Sequence, residues 1–494
     1  MANNWYVRPT GTTYGAGNGT SYANAWSGFA SIVWGAGGIL AGDTLYIDGT
    51  HTTQLTIGNS GTSTAPITID SYNTLVPAII NVTALEHALY AFWRNWLIIK
   101  NLKLTGTTVA HGTISSDGAT STNGTLALYT CNDSVLSNLE VYSNGFTHGI
   151  TLRTCTRSTL SNIIVRNNTQ HGLNISNSKQ TTSSYITAYG NLRTGIIYEG
   201  YAPSGYELNS DHKLTHSESY GNGDGVYLKH GTRILIDTVY SHDNTLTTNG
   251  SAEGYGVAVQ QTQYATIQYS TLAGNRTSGA EYWSGTADGA TSNSNYGIFR
   301  GNIVYGHTLF TADTSGSNGL KVNRAVTGIV ANHNIFYGNT RDFYVAGATD
   351  CFFCNNVLLS ATGMFNENLF SITAVSGWTF SNNIFNNATN SVYAKNTTGN
   401  TSTFINNNFY AGPIFWNNAV VAATTLDTSA ITTNPLLDAN YAPASNSPTI
   451  GAGYKWWGTK ARPISKGNKP IPDYFIDIGA VQSTFNPIHP TNIG

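Results

Sequence analysis

Charged residues make up only 10% of this 494-residue chain, so where they fall is informative. Several fall in two columns drawn through a set of equally phased five-residue segments. One column reads Thr151, Asn174, Ile197, Tyr227, Ala258, Glu281, Lys321, Tyr344. The next reads Arg153, Ser176, Glu199, Lys229, Gln260, Trp283, Asn323, Ala346. Acids, lysines and aromatic rings along one strip suit sugar chemistry. Aromatic faces pack on the apolar faces of sugar rings, and two carboxylates can cleave a glycosidic bond, one as acid and one as base or nucleophile. Glu199 with Asp224, at the bend before the Lys229 segment, is the first candidate pair, and Asp224 with Glu253 the second. Arg153, Tyr227, Gln260, Glu281, Trp283 and Lys321 are read as substrate-binding residues. If the polymer carries uronates, Lys229 is instead the base that removes the proton alpha to the carboxylate. In that case Asp211, Asp224 and Glu199 supply oxygen ligands for a Ca²⁺ that neutralises it; hydrolysis calls for no cofactor. Each residue also has a plainer reading. Glu199 and Lys229 make an ion pair between neighbouring coils, worth under about 1 kcal/mol at a surface. Asp224 shapes a turn, Tyr227 and Trp283 are surface aromatics, and Arg153 and Lys321 are solvated charges. His148, His171 and His230 read as turn or surface residues.

The elements that position these residues are repeats. Gly149-Ile-Thr-Leu-Arg153, Gly172-Leu-Asn-Ile-Ser176 and Gly195-Ile-Ile-Tyr-Glu199 are followed by segments led by Gly225, Gly256, Gly279, Gly319 and Asp342, at spacings of 23, 23, 30, 31, 23, 40 and 23. Self-similarity at a fixed period of this length marks a solenoid. Within each segment the second and fourth residues are apolar, as in Ile150 and Leu152 or Leu173 and Ile175. Period-two alternation puts them on one face of a strand. A parallel sheet with one wet face is expected, and 23 residues leave no room for crossover helices. The predicted fold is therefore all-β, a right-handed single-stranded parallel β-helix. Second strands recur at Ser161–Val165, Arg233–Asp237 and Cys351–Cys354, and Asn-rich corners follow many of them, where Asn tolerates a left-handed backbone. Insertions at 200–213, 245–254 and 284–297 fall beside the charged coils, bringing Tyr201, Tyr206, Asp211 and Tyr255. Insertions in a repeat map to loops on one face, often the binding face. Residues 1–45 are expected to form an N-terminal cap with a helix over Ser21–Ile32, residues 46–425 the β-helix, and residues 426–494 an irregular C-terminal cap.

Composition excludes several classes. Net charge is −2 without a basic cluster, which argues against nucleic acid. No apolar run approaches the roughly 18 residues of a membrane span. The opening Met-Ala-Asn-Asn-Trp has no basic and apolar leader, so no secretory signal is read in it. Four cysteines are too few for a disulfide scaffold. Cys131 and Cys155 are expected to stack on neighbouring coils, and Cys351-Phe-Phe-Cys354 is read as buried hydrophobes rather than a zinc site.

Trp5-Tyr-Val-Arg-Pro9, Gly42-Asp-Thr-Leu-Tyr-Ile-Asp-Gly49, Ser447-Pro-Thr-Ile-Gly-Ala-Gly453 and Asp477-Ile-Gly-Ala480 resemble segments of the pectate-lyase-like superfamily of right-handed parallel β-helices. The resemblance covers most of the chain, chiefly as architecture. It implies a polysaccharide depolymerase of the phage tailspike type, a homotrimer, acting outside the cell or on a virion. The active-site motifs of polygalacturonases, alginate epimerases and chondroitinase-B-like lyases are not matched, so the resemblance carries over no catalytic residue. Hydrolysis of a bacterial surface or extracellular polysaccharide is the leading expectation. A polysaccharide lyase and a non-catalytic carbohydrate-binding fibre or adhesin are the alternatives.

Overall fold

The computed structural model describes residues 2–108, 124–145, 147–200, 209–246, 253–284, 294–309, 317–323, 326–360, 362–366, 377–386, 390–394, 402–416, 419–450, 452–453 and 479. Contacts divide the chain into two units, Met1–Leu235 with Asn244–Gly254, and Ile236–Asp243 with Tyr255–Gly494. Each is a right-handed parallel β-helix whose coils give strands to two sheets. The Gly-led sheet of the first unit contains Leu89–Phe92, Gly124–Tyr129, His148–Arg153, Leu173–Ser176, Thr194–Glu199 and Asp224–Lys229. Its second sheet includes Val135–Tyr142, Thr159–Arg166, Thr182–Tyr189 and Lys213–Tyr220. In the second unit the Gly-led sheet includes Tyr255–Gln260, Ser278–Trp283, Asn318–Asn323 and Arg341–Ala346, and the second-sheet strands are short pairs such as Ile298–Arg300 and Ile303–Tyr305.

The local sequence explains the coil. Four positions per turn take a left-handed backbone: Thr130, Asp133, Asn138 and Ser143 in one coil, Thr154, Arg157, Asn162 and Asn167 in the next. These corners close the coil without helices. Behind the last corner stands a buried asparagine that binds its counterpart one coil on. Asn168 Nδ2 donates to Asn191 Oδ1 at 2.8 Å, Asn191 Nδ2 to Asn222 Oδ1 at 2.9 Å and Asn222 Nδ2 to Asn244 Oδ1 at 3.1 Å. The second unit has its own ladder through Asn302, Asn334, Asn356, Asn383 and Asn407, which ends on Asp427. An acceptor-only carboxylate suits a terminus. The ladder also explains the leading glycine. A Cβ at Gly149 would lie 2.6 Å from the Gly172 carbonyl oxygen and 2.9 Å from Asn168 Nδ2, so no larger residue fits there. Ile150, Leu152, Leu173 and Ile175 are buried as the alternation requires, and Phe353, Phe380 and Phe404 stack at 4.9 and 4.8 Å in the second unit.

Two expectations are corrected. No N-terminal cap helix forms over Ser21–Ile32. Tyr22–Asn24 and Phe29–Ser31 are single 3-10 turns around the short strand Trp26–Ser27, which pairs with Asn4–Arg8. Gly28 at φ 76 breaks the segment, and Trp26 stacks on Trp5 at 5.1 Å. The second correction concerns the wet face. It belongs to the second sheet, where Thr159–Arg166 alternates between exposed and buried. His148–Arg153, Leu173–Ser176, Ser278–Trp283 and Asn318–Asn323 are buried on both faces. Alternation reports which side chains leave the core, not whether further chain covers them. Among the described residues of the C-terminal segment, Leu437, Tyr441 and Ala452 pack on Ile335, Val357 and Ile384.

Cys131 and Cys155 do lie on neighbouring coils as free buried thiols, the Cys131 N–H directed at Cys155 Sγ at 3.4 Å. Burial pushes them up to about 11 and about 12, which makes them poor nucleophiles.

Candidate active face of the Gly-led sheet

Strand register in the first unit aligns Phe92, Tyr129, Arg153, Ser176, Glu199 and Lys229 in one outward column. Tyr90, Ala127, Thr151, Asn174, Ile197 and Tyr227 form the next. Both proposed columns are therefore real, and Glu199 and Lys229 are direct cross-strand partners. Glu199, Tyr227 and Lys229 are half-buried, whereas Thr151, Arg153, Asn174 and Ser176 are almost fully buried. Arg153 is thus not the solvated charge of its plainer reading. Asn174 Nδ2 donates to Glu199 Oε1 at 3.0 Å. Asn174 Oδ1, Thr151 Oγ1 and Ser176 Oγ are buried with no hydrogen-bond partner among the described residues. Each such atom costs about 1–3 kcal/mol if it stays unsatisfied.

Asp224 occupies another place. It pairs with Thr194, five residues before Glu199, while Glu199 pairs with Lys229. At about 3.3 Å per residue the two carboxylates stand roughly 16 Å apart along the strands. Glycoside hydrolysis wants about 5–9.5 Å, so Glu199 and Asp224 do not form the expected catalytic pair. Nor does Asp224 face solvent, being 3% exposed. Its Oδ1 accepts the backbone N–H groups of Glu253 at 3.1 Å and Gly254 at 2.9 Å, fixing the segment that carries the exposed Glu253. Sequence spacing counted coils correctly but missed this offset along the strand.

The expected calcium ligands are likewise dispersed. Asp211 sits at a corner and takes two hydrogen bonds from Arg233, at 2.6 and 3.0 Å, and this pairing holds its carboxyl below the usual range. Among the described residues no three His, Cys, Asp or Glu side chains are grouped to hold a metal. Tyr201 and Tyr206 lie outside the described residues, as does most of each insertion. His148 and His171 stack at 5.0 Å, and each accepts a backbone N–H from the following coil through Nδ1. Burial holds His171 neutral, well below its ordinary value. His230 contacts the Gly200 carbonyl at 3.1 Å.

The second unit carries its own cluster. Gln260 is in register with Trp283, and Glu281 with Lys321 and then Tyr344. Lys321 Nζ lies 3.2 Å from Glu281 Oε1, with the two side chains 9% and 4% exposed. Asn323 Nδ2 donates to Glu281 Oε1 at 3.0 Å, the Lys321 ammonium lies 5.7 Å from the Tyr344 ring centre, and Tyr255 packs on Trp283 at 5.4 Å. Lys321 is therefore a buried, paired cation. Desolvating such a pair offsets most of its attraction, and a charge-poor chain that keeps one on this face has reason to keep it there.

Sequence reasoning missed Tyr90, Phe92, Trp93 and Tyr129. Their signal was legible, since Leu89-Tyr-Ala-Phe92 alternates in the same phase as the later segments. Two earlier coils in the same frame would have extended the columns to them.

No family model and no curated protein matches this sequence. Among solved structures, the chain is similar to a pectate lyase at 15% identity, covering 98% of this chain and 96% of the other with a TM-score of 0.42. It is also similar to a lacto-N-biosidase from Eubacterium ramulus at 12% identity, covering 74% and 65% with a TM-score of 0.48. A surface adhesin of Streptococcus pneumoniae matches at 12% identity, covering 76% and 84% with a TM-score of 0.45.

Proposed function

We propose that the first unit binds an acidic polysaccharide along the outer face of its Gly-led sheet and cleaves it by β-elimination. The strand register carries this reading. It separates Glu199 from Asp224, which removes the leading two-carboxylate arrangement, and it sets Lys229 beside Glu199 with Arg153 in the same column. Elimination needs one base at the carbon alpha to the uronate carboxylate and a cation to steady that carboxylate. Lys229 is the base that takes the alpha proton. The electron pair left behind forms the new carbon–carbon double bond, and the bond to the glycosidic oxygen breaks. Tyr227, two residues from Lys229 on the same face and about 7 Å away, protonates the leaving oxygen. Arg153 stands three coil steps, roughly 14 Å, from Lys229, so its charge acts on a uronate further along the polymer. The substrate is a uronate-bearing polymer met outside the cell.

Digestion of a panel of uronate-bearing and neutral polysaccharides tests this. A rising ultraviolet absorbance from the unsaturated product is expected, lost in Lys229→Ala by at least a hundredfold, the order seen when a positioned base is removed. New reducing ends without that absorbance would return the protein to the hydrolytic reading. Binding with neither product would make it an adhesin.

A further inference from the structure

One outward column of the first unit ends on an exposed aromatic pair. Phe92 opens the column that runs through Tyr129, Arg153, Ser176 and Glu199 to Lys229. Trp93 follows it at the corner. Their rings stack at 4.6 Å with an interplanar angle of 19°, and they are 44% and 63% exposed. Tyr90 and Tyr129 meet edge to face beside them at 5.6 Å.

Trp93 is an unusual choice for its position. The equivalent corners of the following coils are Thr130, Thr154, Asn177, Gly200 and His230; like Trp93, the first four donate their backbone N–H to the next strand's end. Trp93 adopts φ 55. A left-handed backbone at a non-glycine residue costs roughly 1–2 kcal/mol, a cost that Trp96, Tyr185 and other corner residues share. No core contact compensates, because the indole is mostly in solvent. Elsewhere in this unit stacked rings use up their faces on one another: Tyr189 and Tyr220 lie 5.0 Å apart at 9°. With Phe92 on one side, Trp93 keeps its other face open. Arg94 adds a cation beside the pair, its Nη1 donating to the Trp93 carbonyl at 3.3 Å.

We propose that Phe92 and Trp93 form a distal subsite on which a pyranose ring of the bound polymer stacks, with Arg94 facing its acidic groups. The proposal rests on the reading that the polymer lies along these columns. Four coil steps of about 4.8 Å put the platform roughly 19 Å from Glu199, several sugars along the chain. The occupant is a sugar rather than a protein surface because the same column, buried at Tyr129, Arg153 and Ser176, opens again at the half-buried Glu199 and Lys229.

Affinity electrophoresis of the full chain tests it, with polygalacturonate, alginate, hyaluronan and dextran cast separately in the gel. Retardation of the wild type by at least one uronate polymer is expected. Trp93→Asn, which installs the residue type of the Asn177 corner, should weaken that retardation at least fivefold and leave the thermal midpoint unchanged or higher. Undiminished retardation of Trp93→Asn, or no retardation of the wild type on any polymer, overturns the subsite. Retardation of the wild type without any cleavage product, lost in Trp93→Asn, would sink the elimination reading and keep the subsite.

Discussion

A carboxylate that accepts two backbone N–H groups while buried is an anchor before it is a reagent, and Asp224 is held this way by Glu253 and Gly254. Removing both acceptor oxygens leaves two N–H groups without a partner, at about 1–3 kcal/mol for each that stays buried. Asp224→Ala is therefore expected to lose about 2 kcal/mol in denaturant unfolding. Asp224→Asn retains a side-chain carbonyl and should keep most of the stability and the cleavage activity. An inactive but fully folded Asp224→Asn would restore a chemical role to this residue. Glu281 and Lys321 pose a different case. Each neutralises the other at under 10% exposure, so removing either one leaves the partner's charge buried and uncompensated. A loss of function in a single variant there would report structure as much as chemistry.

At the scale of elements, the asparagine ladder is the device that keeps coils in register. Asn191 accepts from the Asn168 backbone and side chain and donates to the Val165 carbonyl and Asn222, all buried. Asn191→Ala strands donors and acceptors on three coils. A loss of roughly 3 kcal/mol is expected from the unsatisfied groups, read as a lower midpoint in thermal unfolding. Neighbouring coils in a solenoid lean on one another, so the damage should spread to Thr194–Glu199 and Asp224–Lys229. Hydrogen exchange that stays slow in those two strands would contradict this. The exposed Thr159–Arg166 face carries compensating charges, with Glu140 taking hydrogen bonds from Arg166 and an ion pair from Lys103. Pairs of this kind at a surface contribute little each.

For the whole molecule, a chain with few charges meets acid through its buried histidines. His51, His212 and His307 are almost fully buried, and desolvation lowers them to about 4, about 3 and about 4. Their folded values lie below the unfolded 6.5, so the native state binds fewer protons than the unfolded one. The stability they contribute is complete above pH 6.5 and is lost as pH falls toward 4. Asp342 opposes them. Burial raises its carboxyl to about 7, so its penalty builds as pH rises from the unfolded 3.8 to 7 and is relieved in acid. Three histidines outweigh one carboxyl, and the thermal midpoint is expected to fall between pH 6.5 and pH 4.5. A midpoint that is flat or rising across that range would mean the rings are protonated in the folded state.

The repeat, the parallel direction of its strands and the identity of the inward columns could be read from residues alone. Hydrophobic burial acts at each position through the residue's own side chain, as at Ile150 and Leu152, and Gly149 and Asn168 are required by contacts repeated every coil. Tertiary structure alone decided the rest. Register placed Asp224 opposite Thr194 rather than beside Glu199, because backbone pairing sets the offset along a strand and no local residue encodes it. Burial of Thr151, Arg153 and Asn174 on the outward face was equally invisible, because polarity records which way a side chain points and not what lies above it. Trp93 stood at a corner that any residue tolerant of the left-handed backbone could fill. Only its exposed ring, stacked on Phe92, marked it as a residue kept for something outside the fold.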